Sequence, residues 1–97
     1  MIRSFRDKGT EDIFNGENSK AASKVLPSQL HLIGWRKLNV LNYTAKLEDL
    51  RIPRANRLEP LKGNREGQHS IRINDQFRIC FRWTGNDAED VEITDYH

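Results

Sequence analysis

The chain has a single cysteine, Cys80, set inside an apolar run. One thiol can make neither an intrachain disulfide nor a cysteine-built zinc site. The scarcity fits a reducing cytosol. Long apolar runs are missing too. There is no stretch of about 18 apolar residues to cross a membrane. Residues 1–15 contain no apolar core of about seven residues such as a secretory signal needs. The expected location is therefore the cytoplasm, with no membrane partner. Apolar residues make up only 36% of the 97, and charged residues 31%. That is polar for a folded domain, but two Trp, two Tyr and four Phe are enough to seed a core. The length predicts one domain, residues 1–97, with a single sheet and one or two covering helices.

The formal net charge of +2 hides a segregation. Residues 51–82 hold Arg51, Arg54, Arg57, Lys62, Arg65, Arg72, Arg78 and Arg82 against Glu59, Glu66 and Asp75, a net of +5. Residues 84–97 hold Asp87, Glu89, Asp90, Glu92 and Asp95 and no Lys or Arg, a net of −5. All but one of the basic residues are Arg, whose planar fork matches phosphate better than a Lys point charge does. The plain explanation is a solvated surface with cross-strand ion pairs to the acidic strand. The sharper one is a phosphate-binding face.

Along the chain, "MIRSFR" alternates as a short strand. "GTEDIFNG" predicts one or two helical turns, with Thr10 as N-cap and Gly16 as terminator. "ENSKAASK" has no pattern and reads as a loop. The main helix is expected over 26–47, starting at Pro27. Leu30, Ile33, Leu38, Leu41 and Ala45 recur near helical spacing, with Gly34 on the same face and Arg36, Lys37 and Asn39 outside. A further turn stops at Pro53. The period then changes to two. "NRLEPLKG" is a strand start disturbed by Pro60, and "GNREG" is a hairpin loop. "QHSIRIN" and "QFRICFRW" alternate on either side of a turn at Asn74-Asp75. "EDVEITDYH" is the last strand. The order β-α-α-β-β-β-β predicts an α+β domain, an antiparallel-rich sheet with helices packed on one face. Phe77, Ile79, Phe81 and Trp83 would meet the helix. Arg72, Arg78 and Arg82 would line the opposite, uncovered face.

The stretch from Arg57 to His97 carries "LKG", "SIRIND", "RICF" and a terminal "DYH". Together these resemble the HigB-type toxins of bacterial toxin–antitoxin modules, in the RelE/ParE superfamily. The likeness is close over the last 40 or so residues and looser before them, in "MIRSF" and a helix ending in "RKL". The family's fold is similar to the order read from periodicity. The resemblance implies a ribosome-dependent mRNA endonuclease that enters the decoding site of the 70S ribosome and cuts the message by attack of a ribose 2′-hydroxyl on the adjacent phosphate. That reaction needs a proton acceptor, a proton donor to the leaving oxygen and cations for the phosphorane charge. It calls for no metal and no cofactor.

By the same resemblance, Arg78 of "RICF" holds phosphate oxygens, and Lys62 of "LKG" is a second phosphate ligand. The bland alternatives are a cross-strand ion pair and an ordinary hairpin lysine. His97 is the acid or base suited to neutral pH, against its being an inconsequential terminal residue. Tyr96 donates a proton or stacks on a base, or simply covers apolar surface. Asp95 orients either neighbour or pairs with an Arg. Strict strand alternation would send Tyr96 and His97 to opposite faces. Some relatives carry His where this chain has Glu59; others carry Glu, which can also accept a proton. Arg57, Arg65, Arg72 and Arg82, with Arg54, would contact RNA phosphates without reading sequence. His31 and His69 are expected to be non-catalytic, and Cys80 to fill space between Arg residues. The implied partners are a HigA-like helix-turn-helix antitoxin, the ribosome and mRNA. Operator DNA would be reached only through the antitoxin complex. The competing functions are a ParE-like gyrase-binding toxin, against which "DYH" argues, and a degenerate toxin kept as a co-repressor.

Overall fold

The structure, a computed structural model, describes residues 1–95. Three helices come first: α1 (Lys8–Phe14), α2 (Lys20–Val25) and α3 (His31–Tyr43). Four strands follow: β1 (Glu59–Pro60), β2 (Gln68–Arg72), β3 (Phe77–Thr84) and β4 (Asp87–Asp95). They form an antiparallel meander in the order β1-β2-β3-β4. The α+β class and the strand order are those expected from periodicity. Among the described residues, no helix is long and apolar enough to cross a membrane.

Several local expectations are corrected. The opening segment does not form a regular strand. Its backbone bonds to β4 through isolated parallel bridges, Ile2 to Ala88 and Phe5 to Val91. The irregularity has a cause in β4, which carries a bulge opposite Cys80–Arg82 with Asp90 left-handed at φ 52°. A bulge displaces one residue from the ladder, and the Ser4 hydroxyl accepts the Asp90 N–H at 2.9 Å. α1 is capped by Asp7, not Thr10. The Asp7 carboxylate accepts the Thr10 N–H at 2.7 Å, satisfying an orphan donor of the first turn. The Thr10 hydroxyl instead ties α1 to β4, accepting the Ile93 N–H at 3.0 Å.

"ENSKAASK" is not a loop, since α2 begins inside it. Ser19 caps α2 by accepting the Ala22 N–H at 3.0 Å. It also donates to the buried Asp12 at 2.6 Å, which takes a second bond from Lys8 at 2.8 Å. These bonds hold the Asp12 carboxyl below its usual range, with Lys8 the largest cause and Ser19 next. α3 is shorter than expected: residues Ser28–Leu30 form a 3-10 turn before it, and Ala45 lies beyond its end and is exposed. Its buried face is Gly34, Leu38 and Leu41, while Ile33 is exposed. Leu26, Leu38 and Leu41 pack with Ile71, Ile79, Phe81, Val91 and Ile93 of the sheet. Gly34 allows the approach, because a Cβ there would lie 2.7 Å from Leu26 Cδ2.

Candidate active site

The sheet face away from the helices is not the open column of Arg that alternation predicts. Arg72 pairs with Arg78 and Ser70 with Cys80 across β2 and β3. Arg78 pairs in turn with Thr94, and Cys80 with Glu92. These residues therefore share one face, as cross-strand partners must. Yet Arg78 is only 9% exposed, and Ser70 and Cys80 are fully buried. Leu61 and Gln68, of the same parity, are buried with them. Strand parity specifies a side of the sheet, and Arg57 before β1 and Arg65 after it lie over that side, bonded to Arg78 and to Glu92.

A buried guanidinium must be hydrogen-bonded, and Arg78 is gripped. Its Nε donates to Ser70 Oγ at 2.7 Å, and its Nη2 donates to the Arg57 carbonyl at 2.5 Å and the Ser70 carbonyl at 3.4 Å. The Arg57 carbonyl is aimed by an unusual backbone: φ is 45° and ψ is 59°, the left-handed region. Such a conformation in a non-glycine residue costs roughly 1–3 kcal/mol and is characteristic of functional sites. It is held in place by the preceding residue. Asn56 is fully buried, donates to the Leu50 carbonyl at 3.2 Å and accepts from Lys37 Nζ of α3 at 2.5 Å. Ser70, Asn56 and Lys37 thus support the site and were not singled out in the sequence. Ser70 alone left a trace there, inside "SIRIND".

Arg57, Glu59, Arg72, Asn74, Asp75 and Arg78 line a depression of about 260 Å³. Three guanidinium groups and two carboxylates leave it net positive. Arg72 is ion-paired with Asp75, and Glu59 is exposed at the rim. A shallow, polar, cationic hollow suits a phosphodiester better than an apolar ligand. Lys62 is exposed on the turn after β1 and makes no side-chain hydrogen bond or ion pair with the described residues. Arg65 and Arg82 lie farther along the same face. Each is ion-paired with β4, Arg65 from the 3-10 turn Gly63–Arg65 with Glu92 at 2.9 Å and Arg82 from β3 with Asp90 at 3.7 Å. The plain explanation of the charge segregation thus accounts for those two. Asp95 pairs with Phe77 across β3, one residue out of phase with Thr94 and Arg78. It accepts from Gln76 Nε2 at 2.8 Å, so alternation directs its side chain away from the depression. Tyr96 and His97 lie outside the described residues.

Cys80 is buried between Arg65, Glu92 and Arg78, and burial pushes its thiol pKa up, which fits a space-filling role. His69 stacks on Phe81 with ring centroids 6.3 Å apart. Burial, and then the charge of Arg51, holds its pKa below the usual value. His31 bonds the Leu26 carbonyl through Nε2 at 2.8 Å.

The fold places the chain in a structural class that includes solved proteins of a toxin–antitoxin complex. YafQ from E. coli strain BL21(DE3) aligns over 98% of this chain and 93% of its own at a TM-score of 0.59 and 8% identity. YoeB in the YoeB-YefM toxin–antitoxin complex of Staphylococcus aureus aligns over 100% and 98% at 0.54 and 18% identity. At such identities the likeness is one of fold. Sequence narrows the class. The profile of the RelE-like toxin of the type II toxin–antitoxin system HigB matches residues 3–97. Toxin HigB-1 of Vibrio cholerae is 37% identical over 86% of this chain and 84% of its own length. Endoribonuclease HigB of Proteus vulgaris is 33% identical over 100% of both. The chain belongs to the HigB-like family of type II toxins.

Proposed function

We propose that the chain is a ribosome-dependent mRNA endonuclease of the cytoplasm, neutralised by a cognate HigA-like antitoxin. The observation that carries this reading is the grip on Arg78, a nearly buried guanidinium fixed at the floor of a net-positive hollow, in a chain similar along its whole length to an endoribonuclease. The ribose 2′-oxygen attacks the adjacent phosphorus as a base removes its proton. The P–O5′ bond breaks as an acid protonates the leaving oxygen, giving a cyclic phosphate and a free 5′-hydroxyl. Arg78 neutralises the non-bridging oxygens, and Lys62 and Arg57 approach the phosphate from the exposed rim. Glu59, Tyr96 and His97 supply the acid–base groups. Asp95, tied to Gln76, steadies the end of β4 from which Tyr96 and His97 follow. Arg72, Arg65 and Arg82 add positive potential for the RNA backbone.

The test is induced expression followed by primer extension on a reporter message. Cuts confined to translated codons are expected. Intact mRNA accompanied by double-strand DNA breaks would replace this reading with gyrase binding. Arg78→Ala and deletion of His97 should each abolish growth arrest while the antitoxin complex still forms.

A further inference from the structure

A non-glycine residue stays in the left-handed region only where its surroundings impose it. Arg57 is such a residue, and its carbonyl holds Arg78. The backbone bonds of the turn before it are ordinary. The Asn56 N–H donates to the Pro53 carbonyl and the Arg57 N–H to the Arg54 carbonyl, each at 3.0 Å. Neither sets the direction of the Arg57 carbonyl. The Asn56 side chain supplies the missing constraint. Its Nδ2 donates to the Leu50 carbonyl at 3.2 Å and the Ile52 carbonyl at 3.5 Å, while its Oδ1 accepts from Lys37 Nζ at 2.5 Å. The amide can face only one way. Turned over, it would set its oxygen against two carbonyls and its NH2 against an ammonium.

Lys37 is the unexpected member of this group. Spacing puts it outside α3 with Arg36, where a lysine ordinarily extends its ammonium into water. Arg36 is indeed exposed, but Lys37 is half-buried. Its ammonium makes no ion pair with the described residues and donates to a neutral, fully buried amide. Partial desolvation of an ammonium with only an amide for partner is unfavourable, so a role beyond stability accounts for it better. The two ends of the link belong to different sides of the sheet. Leu38, next to Lys37, packs with Ile71, Ile79 and Ile93, whereas Arg78, next to Ile79 in β3, faces the other way. The 3-10 turns Leu47–Arg51 and Arg54–Asn56 carry the chain from α3 to β1, at the edge of the sheet. Asn56 sits at that corner, bonded to α3 and adjoining Arg57.

We propose that Lys37 is a positioning residue of the cleavage reaction, which through Asn56 fixes the Arg57 carbonyl and so the angle at which Arg78 meets the phosphate. Two hydrogen bonds and the Asn56–Arg57 peptide complete the link. This inference rests on the endonuclease reading above and deepens it. Ser70 holds Arg78 from β2 at Nε, and Lys37 holds it from α3, by way of Asn56 and Arg57, at Nη2. A guanidinium fixed at both places presents one edge to the substrate. Without the ammonium, Asn56 Oδ1 becomes a buried acceptor with no partner. The amide then reorients, the Arg57 backbone relaxes out of the left-handed region, and its carbonyl turns away from Nη2. Lys37 itself touches no RNA, in contrast to Lys62.

The test uses the full chain with Lys37→Met, which keeps the aliphatic stem and removes the ammonium. In proton–nitrogen NMR spectra the Arg78 Nε–H should shift, and its exchange with water should quicken by about tenfold or more. In single-turnover cleavage on programmed ribosomes, the rate at saturation should fall by about tenfold or more. The concentration for half-saturation and the salt slope of RNA binding should stay at wild type, because no phosphate contact is lost. Lys37→Arg, which keeps a cationic donor, should recover most of both losses. Lys37→Gln, which shortens and neutralises the donor, serves for both readouts if the methionine variant does not fold. A lowered Tm with normal Nε–H exchange and a normal saturating rate would make the lysine merely structural and overturn the proposal. A shallower salt slope with an unchanged saturating rate would overturn it too, making Lys37 an RNA contact. If the wild-type chain cuts no message, the endonuclease reading fails, while the Arg78 Nε–H still shows whether Lys37 holds the guanidinium.

Discussion

Replacing Ser70 by alanine isolates the grip on Arg78 without touching the guanidinium. The Ser70 hydroxyl is fully buried and accepts from Arg78 Nε at 2.7 Å. Alanine removes that acceptor and leaves a buried, charged donor short of a partner. A hydrogen bond to a charged group contributes about 1.5–3 kcal/mol. In a domain of this size, a loss of about 2 kcal/mol lowers Tm by about 8–16 °C. The catalytic effect is separate. Arg78 keeps the Arg57 and Ser70 carbonyls at Nη2 but can swing about that end, and in the proposed phosphate-binding role a displacement of about 1 Å can cost about 100-fold in rate. Single-turnover cleavage on programmed ribosomes, measured well below the lowered Tm, would read this out. The cleavage rate at saturation should fall 10- to 100-fold while the concentration for half-saturation changes little. Ser70→Thr, which keeps the hydroxyl, should restore most of the rate. Wild-type cleavage by Ser70→Ala, or failure of the threonine variant despite a normal Tm, would refute the positioning argument.

Gly9→Ala should destabilise the fold by about 2 kcal/mol, although alanine is the better helix former. The new Cβ would lie 2.4 Å from the Ala21 carbonyl oxygen, where α1 crosses α2, and overpacking of this kind costs about 1–3 kcal/mol; urea denaturation measures it. Stability should decline as pH falls from about 6.5, because the His69 pKa is held down by burial and by Arg51, so the unfolded chain takes up the proton first. His69→Phe should flatten that slope in denaturation midpoints taken from pH 7.5 to 5. A further loss should follow near and below about pH 4, as Asp12 gives up its bonds to Lys8 and Ser19. Arg57→Ala removes an exposed charge from the hollow but keeps the backbone carbonyl that holds Arg78. Binding to RNA should weaken uniformly across sequences, and the slope of log K against log salt should shrink by about one.

The meander was legible because period two is unambiguous in "QFRICFRW", where Phe77, Ile79 and Phe81 are all buried. The turn at Asn74 was legible for a chemical reason: its side-chain oxygen accepts the N–H groups of Gln76 and Phe77 at 2.9 and 2.8 Å. α2 was not legible. With six residues and one buried side chain, Ala22, it is too short to show a period. Ile33 was placed on the wrong side of α3 because α3 is apolar on both faces, and spacing alone cannot tell which one meets the sheet. The Arg face was read correctly as to side and wrongly as to exposure. Alternation cannot reveal that a segment 21 residues away supplies a carbonyl to Arg78. The support from Asn56 was hidden for the same reason, since its partners come from α3 and from the 3-10 turn at Leu47–Arg51.

The bonds between residues 1–6 and β4 bear on the timing of folding. The Arg3 and Arg6 N–H groups bond the Ala88 and Val91 carbonyls at 2.8 and 2.9 Å, and the Met1 and Ser4 carbonyls receive the N–H groups of Ala88 and Val91 at 3.0 Å each. A nascent chain emerges with these first residues unable to seat, since their partners are more than 80 positions downstream. Closing so wide a loop is entropically slow. Seating of residues 1–6 therefore waits for β4, whose Thr94 also flanks Arg78 across the sheet.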